Sequence, residues 1–313
     1  MSNIKKFLPF VILIFFGFLI HYYYQKNQSD FDVLINFDFL LILQILFLCF
    51  LYLITEGIIL RNIVIFLNKN INLLESFLVM NSTYFCNTFI QFSGLGYRVY
   101  YLKKFKNLKI SDILRFSIDT IACELLTFSF IGLLSILFID LSSEKINISF
   151  ILYLVFLFFF LVSLIYLYFI QSIALISKKI LNSINFFYFD KIFDLFLILK
   201  KNNKFFYKKQ ILIFFFQYFL LFLIFYLILK RIEIENYLYL SLLTTSLVDF
   251  SFLIAFTPYS VGISEFITLL GTRDMMLTFA EIIILINVFR VCMLLIYFIF
   301  GPIFLIFNLK VKK

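Results

Sequence analysis

Ionisable side chains stand within or beside long apolar runs of this chain: Glu56, Arg61, Asp119, Glu124, Asp249, Glu265, Glu281 and Arg290. A charge in such a setting is expensive unless it faces a partner, a cavity or water. Arg115 and Asp119 are four apart, so one helix face pairs them locally. Glu56 and Arg61 are expected near the end of an apolar run, where long side chains snorkel to the interface. Asp249, Glu265 and Arg290 have no such local explanation. A second stretch with chemical content is Gly94-Leu95-Gly96-Tyr97-Arg98-Val99-Tyr100-Tyr101-Leu102. Its glycines permit a sharp turn and a close backbone approach. Arg98 offers a planar fork that matches phosphate oxygens. The chemistry implied is recognition of an anionic headgroup; the bland alternative is a glycine turn followed by one more interfacial cation.

The elements that must position these groups are membrane helices. Of the 313 residues 64% are hydrophobic, against about 45–50% in a soluble domain. Mean hydropathy is +1.06, a surplus that only a lipid-facing surface can hold. Apolar runs near 7–24, 38–60, 112–139, 148–170, 210–229 and 278–307 each reach or approach the ~20 residues that span the hydrocarbon core. Two further segments, 72–97 and 237–276, are apolar but interrupted: the first by Asn81-Ser82-Thr83, Asn87, Thr88, Gly94 and Gly96, the second by Thr244-Thr245-Ser246, Asp249, Pro258, Gly262 and Glu265.

Flanking charge orients these spans. Arg98 to Lys109 is basic without an acid, 171–209 is lysine-rich, and Lys5, Lys6, Lys310, Lys312 and Lys313 mark both ends. With basic loops inside, the spans alternate correctly only if 72–97 enters from the cytoplasm and returns there, and 237–276 does the same from outside. The expected fold is therefore an all-α polytopic membrane protein of about six to eight transmembrane helices, with two re-entrant hairpins in an inverted repeat. Eight full crossings are the alternative, and would place 98–109 outside. The whole chain, 1–313, forms one integral membrane domain, with halves of about 1–140 and 148–313. The basic segment 171–209 is expected to lie along the cytoplasmic surface against anionic lipid, and both termini to be cytoplasmic.

Several functions are set aside. Net charge is +9, but the basic residues sit in short loops between apolar runs, so nucleic acid is not an expected partner. His21 is the one histidine, and Cys49, Cys86, Cys123 and Cys292 are dispersed without a CxxC pair; no metal and no cofactor is expected. The 49 Phe are read partly as coding bias, and the 19 Tyr as replacing the absent Trp at the interfaces. The start resembles a signal sequence, but its apolar run is long and no small-residue cleavage site follows, so it is expected to remain as a first helix.

The run from Phe92 to Arg115 resembles a signature of the lysylphosphatidylglycerol synthase transmembrane region, the flippase-like membrane half of multiple peptide resistance factor proteins. Pro258-Tyr-Ser-Val-Gly262-Ile-Ser-Glu265, followed by Arg290, is similar to the second signature, although Ser260 and Val261 stand where the family carries more glycine. The resemblance covers about residues 40–305. It implies a protein of the bacterial or archaeal cytoplasmic membrane that holds or moves a lipid: an anionic phospholipid, an aminoacyl-phospholipid, or a polyprenyl or glycolipid. Arg98, Glu265, Arg290 and Asp249 are the expected headgroup-binding residues, and Gly94, Gly96, Pro258 and Gly262 the expected hairpin-shaping ones. The family's larger members carry a soluble aminoacyl-transferase domain, whereas this sequence ends at Lys313; an enzyme in its own right is not expected, and no catalytic residue is assigned. Two alternatives stay open. One is the membrane subunit of an aminoacyl-phospholipid synthase whose catalytic part is a separate chain. The other is a polyprenyl-phosphate-dependent glycosyltransferase, for which Asp30 and Asp32 in the first outer loop are the only sign.

Overall fold

The computed structural model describes residues 37–90, 92–137, 151–168, 204–234, 236–254, 260–272 and 277–310, together with His21, Gln25 and Thr257. The described residues form helices α1 (Phe39–Phe66), α2 (Leu73–Phe89), α3 (Ser93–Lys106), α4 (Ile110–Leu137), α5 (Ile151–Tyr168), α6 (Lys204–Arg231), α7 (Tyr237–Ile254), α8 (Ile263–Thr272) and α9 (Phe279–Lys310), with no strand among them. Helices α1, α4, α5, α6 and α9 are long and apolar enough to cross a membrane. They coincide with five of the six expected spans; the sixth, at 7–24, lies outside the described residues apart from His21, as do Asp30, Asp32, Pro258 and most of 171–209.

Local sequence sets the helix starts. Asp38 caps α1 by accepting from the Leu41 N–H at 2.7 Å, and Asn72 caps α2 by accepting from the Glu75 N–H at 2.6 Å. Thr278 and Glu281 cap α9 reciprocally, at 2.7 and 3.3 Å, which accounts for Glu281. The long helices are apolar on nearly all faces. Phe39, Leu212 and Phe205 stand exposed at 79, 71 and 80%, the pattern of helices solvated by lipid rather than by water.

Where helices meet, polar and small residues lie at the seam. Ser82 on α2 donates to the Gly301 carbonyl of α9 at 3.1 Å, and Ser246 on α7 donates to the Phe128 carbonyl of α4 at 3.2 Å. The Tyr84 and Tyr297 rings stack between α2 and α9. The largest apolar core joins α1, α6, α7 and α9, with Ile45, Leu53, Ile224 and Leu285 among its buried members.

Two antiparallel helix pairs open toward opposite ends of the bundle. In α2–α3, Tyr101 donates to Glu75 at 2.5 Å and Lys106 pairs with Glu75 at 2.7 Å, while Gly94 packs on Thr83. Both outer ends of this pair therefore lie beside the C-terminal end of α1, where Lys103, Lys104 and Lys106 gather. In α7–α8, Ser260 donates to the Ser251 carbonyl at 3.2 Å and Gly271 packs on Leu247. This pair opens at the other end, where Arg231 pairs with Asp38 at 3.6 Å.

The reversal in α2–α3 differs from the expected position. It falls around residues 90–92, and α3 incorporates most of the stretch 98–109 that was expected as a basic loop. The polar run Asn81-Ser82-Thr83 does not break α2. Asn81 and Thr83 donate back to the Phe77 and Val79 carbonyls at 2.9 and 2.8 Å, so the helix absorbs its own polar side chains. Thr245 does the same in α7, to the Ser241 carbonyl at 2.7 Å.

Candidate functional site

Two adjoining cavities lie between the helix pairs. The first, of about 150 Å³, is lined by Glu56, Tyr84, Arg98, Ser117, Thr120 and Glu124 together with apolar side chains. The second, of about 270 Å³, shares Glu56, Tyr84 and Glu124 and adds Tyr52, Asn87 and Asp249. Among the described residues, Arg98, Glu56 and Glu124 thus line the first cavity, and Glu56, Glu124 and Asp249 the second, so that four helices contribute one guanidinium and three carboxylates to the two adjoining spaces.

Arg98 reaches this space from α3, and the seam beneath it explains how. A Cβ on Gly94 would sit 2.0 Å from the Thr83 carbonyl oxygen, and the Gly94 N–H donates to Asn87 Oδ1 at 2.8 Å. Only glycine lets α3 approach α2 so closely. A Cβ on Gly96 would meet nothing within 4 Å, so the packing requires glycine at 94 and not at 96. Phe92 caps α3 with φ 66°. The Arg98 guanidinium is poorly satisfied. Its nearest acceptors are Met80 Sδ at 3.9 Å and Ser117 Oγ at 3.5 Å, and its buried Nε has no partner among the described residues. A buried donor left in that condition costs about 1–3 kcal/mol, so an acceptor that enters the cavity removes a standing penalty.

Two of the three carboxylates are held from α6. Gln217 on α6 donates to Glu56 Oε1 at 2.6 Å, and Tyr218 on the same helix donates to Asp249. Glu56 was expected to snorkel at the end of its span. Helix α1 runs on to Phe66, so Glu56 lies ten residues before the end, about 15 Å inside at 1.5 Å per residue. It is 9% exposed. Arg61 is exposed, as expected of a side chain that reaches the interface.

Glu265 and Arg290 are built differently. Neither lines the two cavities. Arg290 donates from Nη1 to Glu265 Oε1, and from Nη2 to the Ser260 carbonyl at 2.9 Å, to Glu265 Oε2 at 3.1 Å and to Ser264 Oγ. Glu265 Oε2 also accepts from the Gly262 N–H at 2.9 Å and from Ser264 Oγ at 3.0 Å. Glu265 is the third residue of α8 and caps that helix while it neutralises Arg290. The pair is almost fully buried, at 0 and 3% exposure. It ties the turn before α8 to the middle of α9. That turn takes Ser260 and Gly262 through φ 57° and 83°, so serine occupies a left-handed conformation in the stretch where the resembling signature carries more glycine. The four residues expected to bind a headgroup thus fall in two places: Arg98 and Asp249 at the cavities, Glu265 and Arg290 in a closed pair behind Ser260.

Asp119 pairs with Arg115 at 3.9 Å and accepts from Tyr166 at 2.8 Å and Tyr207 at 3.1 Å. This local pair and its phenols join α4 to α5 and α6 and stand apart from the cavities. No group of three or more His, Cys, Asp or Glu suited to a metal ion exists among the described residues. Glu124 stands among the ionisable residues of the apolar runs without a role legible in the sequence, and Gln217 and Tyr84 belong to no sequence motif of the site. The available signal was polarity within apolar runs, which Gln217 and Glu124 both show.

A family model described as the lysylphosphatidylglycerol synthase TM region matches residues 7–301. No curated protein and no solved structure matches the chain. Matched over nearly its whole length and built as a multi-span helical bundle, the chain belongs to the lysylphosphatidylglycerol synthase transmembrane-region family.

Proposed function

We propose that this protein binds a phospholipid whose headgroup carries both a phosphate and a cationic amine, and moves it across the cytoplasmic membrane. The observation that carries this reading is the presence of Arg98, with a donor left unfilled, and three carboxylates around two adjoining cavities that share Glu56 and Glu124. A phosphate fits the guanidinium fork. It leaves Glu56, Glu124 and Asp249 without a counter-charge, and an ammonium on the same headgroup supplies one. An anionic phospholipid without an amine fits less well, because the carboxylates would then repel it.

The helix pairs support a translocation path. At 1.5 Å per residue, α2, α3 and α8 are about 26, 21 and 15 Å long, short of the ~30 Å hydrocarbon core. In our reading both pairs are re-entrant, α2–α3 from the cytoplasmic face with its lysines and α7–α8 from the opposite face, and both termini are cytoplasmic. Their broken backbone then lines the cavities in place of lipid. Acyl chains stay in the bilayer while the headgroup crosses between the pair tips. The Glu265–Arg290 pair fixes one tip against α9.

Proteoliposomes test this directly. Movement of a lysyl-phosphatidylglycerol probe between leaflets should depend on the protein and fall at least tenfold in Arg98→Ala. Equal movement of matched phosphatidylglycerol would contradict the amine requirement. Equal movement of both lipids by well-folded Arg98→Ala would contradict the site.

A further inference from the structure

Gln217 places an unfilled acceptor beside a carboxyl group. Its Nε2 donates to Glu56 Oε1 at 2.6 Å, while its own Oε1 is buried and has no partner among the described residues; the side chain is 3% exposed. An ionised Glu56 only accepts and leaves that amide oxygen empty. A protonated Glu56 has an O–H to donate, and a carboxylic acid facing a primary amide can form two hydrogen bonds instead of one. The vacancy on Gln217 is what a proton on Glu56 would fill.

The surroundings point the same way. Glu124 on α4 and Asp249 on α7 face the same space as Glu56. Among the described residues, Arg98 on α3 is the single cation lining either cavity. The other titratable groups around them are phenols: Tyr52 on α1 itself, Tyr84 on α2, Tyr218 on α6 and Tyr297 on α9. Three carboxylates that share a poorly solvated space do not all ionise beside one guanidinium.

We propose that Glu56 is a proton-binding residue, protonated on Gln217 while the cavity lacks a headgroup amine, and that an arriving ammonium takes the place of that proton. This inference rests on the amine-headgroup reading above. The step balances simply. The Glu56 O–H bond breaks and the proton passes to water at the cavity mouth. The carboxylate left behind pairs with the ammonium, which keeps its own protons. When the amine departs, Glu56 takes up a proton again, so one passage of the headgroup is coupled to one proton.

Purified protein in nanodiscs, in weak buffer with a pH-indicator dye, is titrated with lysyl-phosphatidylglycerol and with phosphatidylglycerol of the same chains. Infrared difference spectra follow the protonated-carboxyl stretch in parallel. The expected result is release of a proton per lysyl lipid bound and loss of a protonated-carboxyl band, with neither for phosphatidylglycerol. Glu56→Gln should lack the band and the release, and Asp38→Ala, at a carboxylate that lines neither cavity, should keep both. Binding of the lysyl lipid without proton release, and without a band in the lipid-free protein, overturns the proton site and leaves the lipid reading standing. Failure of the lysyl lipid to bind overturns both. A band that survives Glu56→Gln and vanishes in Glu124→Gln overturns the choice of Glu56. The wild-type titration decides the coupling without any variant, should Glu56→Gln fail to fold.

Discussion

Arg98 and Arg290 are the same residue type inside the same helical bundle, and their surroundings are opposite. Arg290 makes four hydrogen bonds, two of them to the carboxylate of Glu265, which in turn caps α8. Arg98 makes one contact to sulfur and one long contact to a hydroxyl, and its Nε has no partner among the described residues. An arginine with its donors filled and its charge cancelled has little left to offer a ligand. An arginine held at a cavity wall with donors empty is set to receive one. Intramembrane charge alone does not separate a structural residue from a binding residue; the state of its hydrogen bonds does.

The sharpest way to break this comparison is to remove one partner from each side. Arg290→Ala or Glu265→Ala leaves a buried charge alone, and the loss expected for such a pair is about 3–5 kcal/mol. It should appear as a collapse in yield and in thermal unfolding temperature in detergent, whatever lipid is added. Arg98→Ala should leave the unfolding temperature near that of the native protein. It should weaken headgroup binding through loss of charge-assisted hydrogen bonds worth about 1.5–3 kcal/mol, roughly tenfold to a hundredfold in affinity. Arg98→Lys should fall between, since an ammonium keeps the charge and loses the fork.

A smaller contrast separates two glycines of one motif. Gly94→Ala drives a methyl into the Thr83 carbonyl. Overpacking of that kind costs about 1–3 kcal/mol, and the displaced α3 should carry Arg98 off target, so stability and binding fall together. Gly96→Ala meets open space and should be neutral or stabilise by up to about 1 kcal/mol, as alanine is the better helix former. Smallest of all, Asp38→Ala removes the α1 cap, which lines neither cavity and bonds to neither Arg98 nor Arg290; it should cost about 1 kcal/mol and leave lipid affinity unchanged.

The spans were legible because a lipid-solvated helix needs an uninterrupted apolar run, and such runs are visible without knowledge of the fold. Arg98 was legible because its glycine neighbours announce a close backbone approach. Three features were hidden. The polar run 81–83 looks like a break, yet Asn81 and Thr83 bond to their own helix and Ser82 to the Gly301 carbonyl of α9, choices that composition does not reveal. Glu56 looked interfacial because the apolar run thins near residue 60, whereas α1 continues to Phe66 and carries the carboxylate inward. Glu265 and Arg290 are 25 residues apart in sequence. Their types suggested a pair, but whether that pair closes on itself or opens to a cavity depends on the turn at Ser260, which brings the backbone carbonyl to Arg290.

Native mass spectrometry of the protein extracted from membranes that contain both lysyl-phosphatidylglycerol and phosphatidylglycerol tests the headgroup site most directly. The native chain and Gly96→Ala are expected to retain the lysyl lipid in preference, while a folded Arg98→Ala, Glu124→Gln double variant retains neither lipid above background. Retention of the lysyl lipid at the native level by that double variant, with an unchanged unfolding temperature, would contradict the assignment of the cavities around Arg98 as the headgroup site.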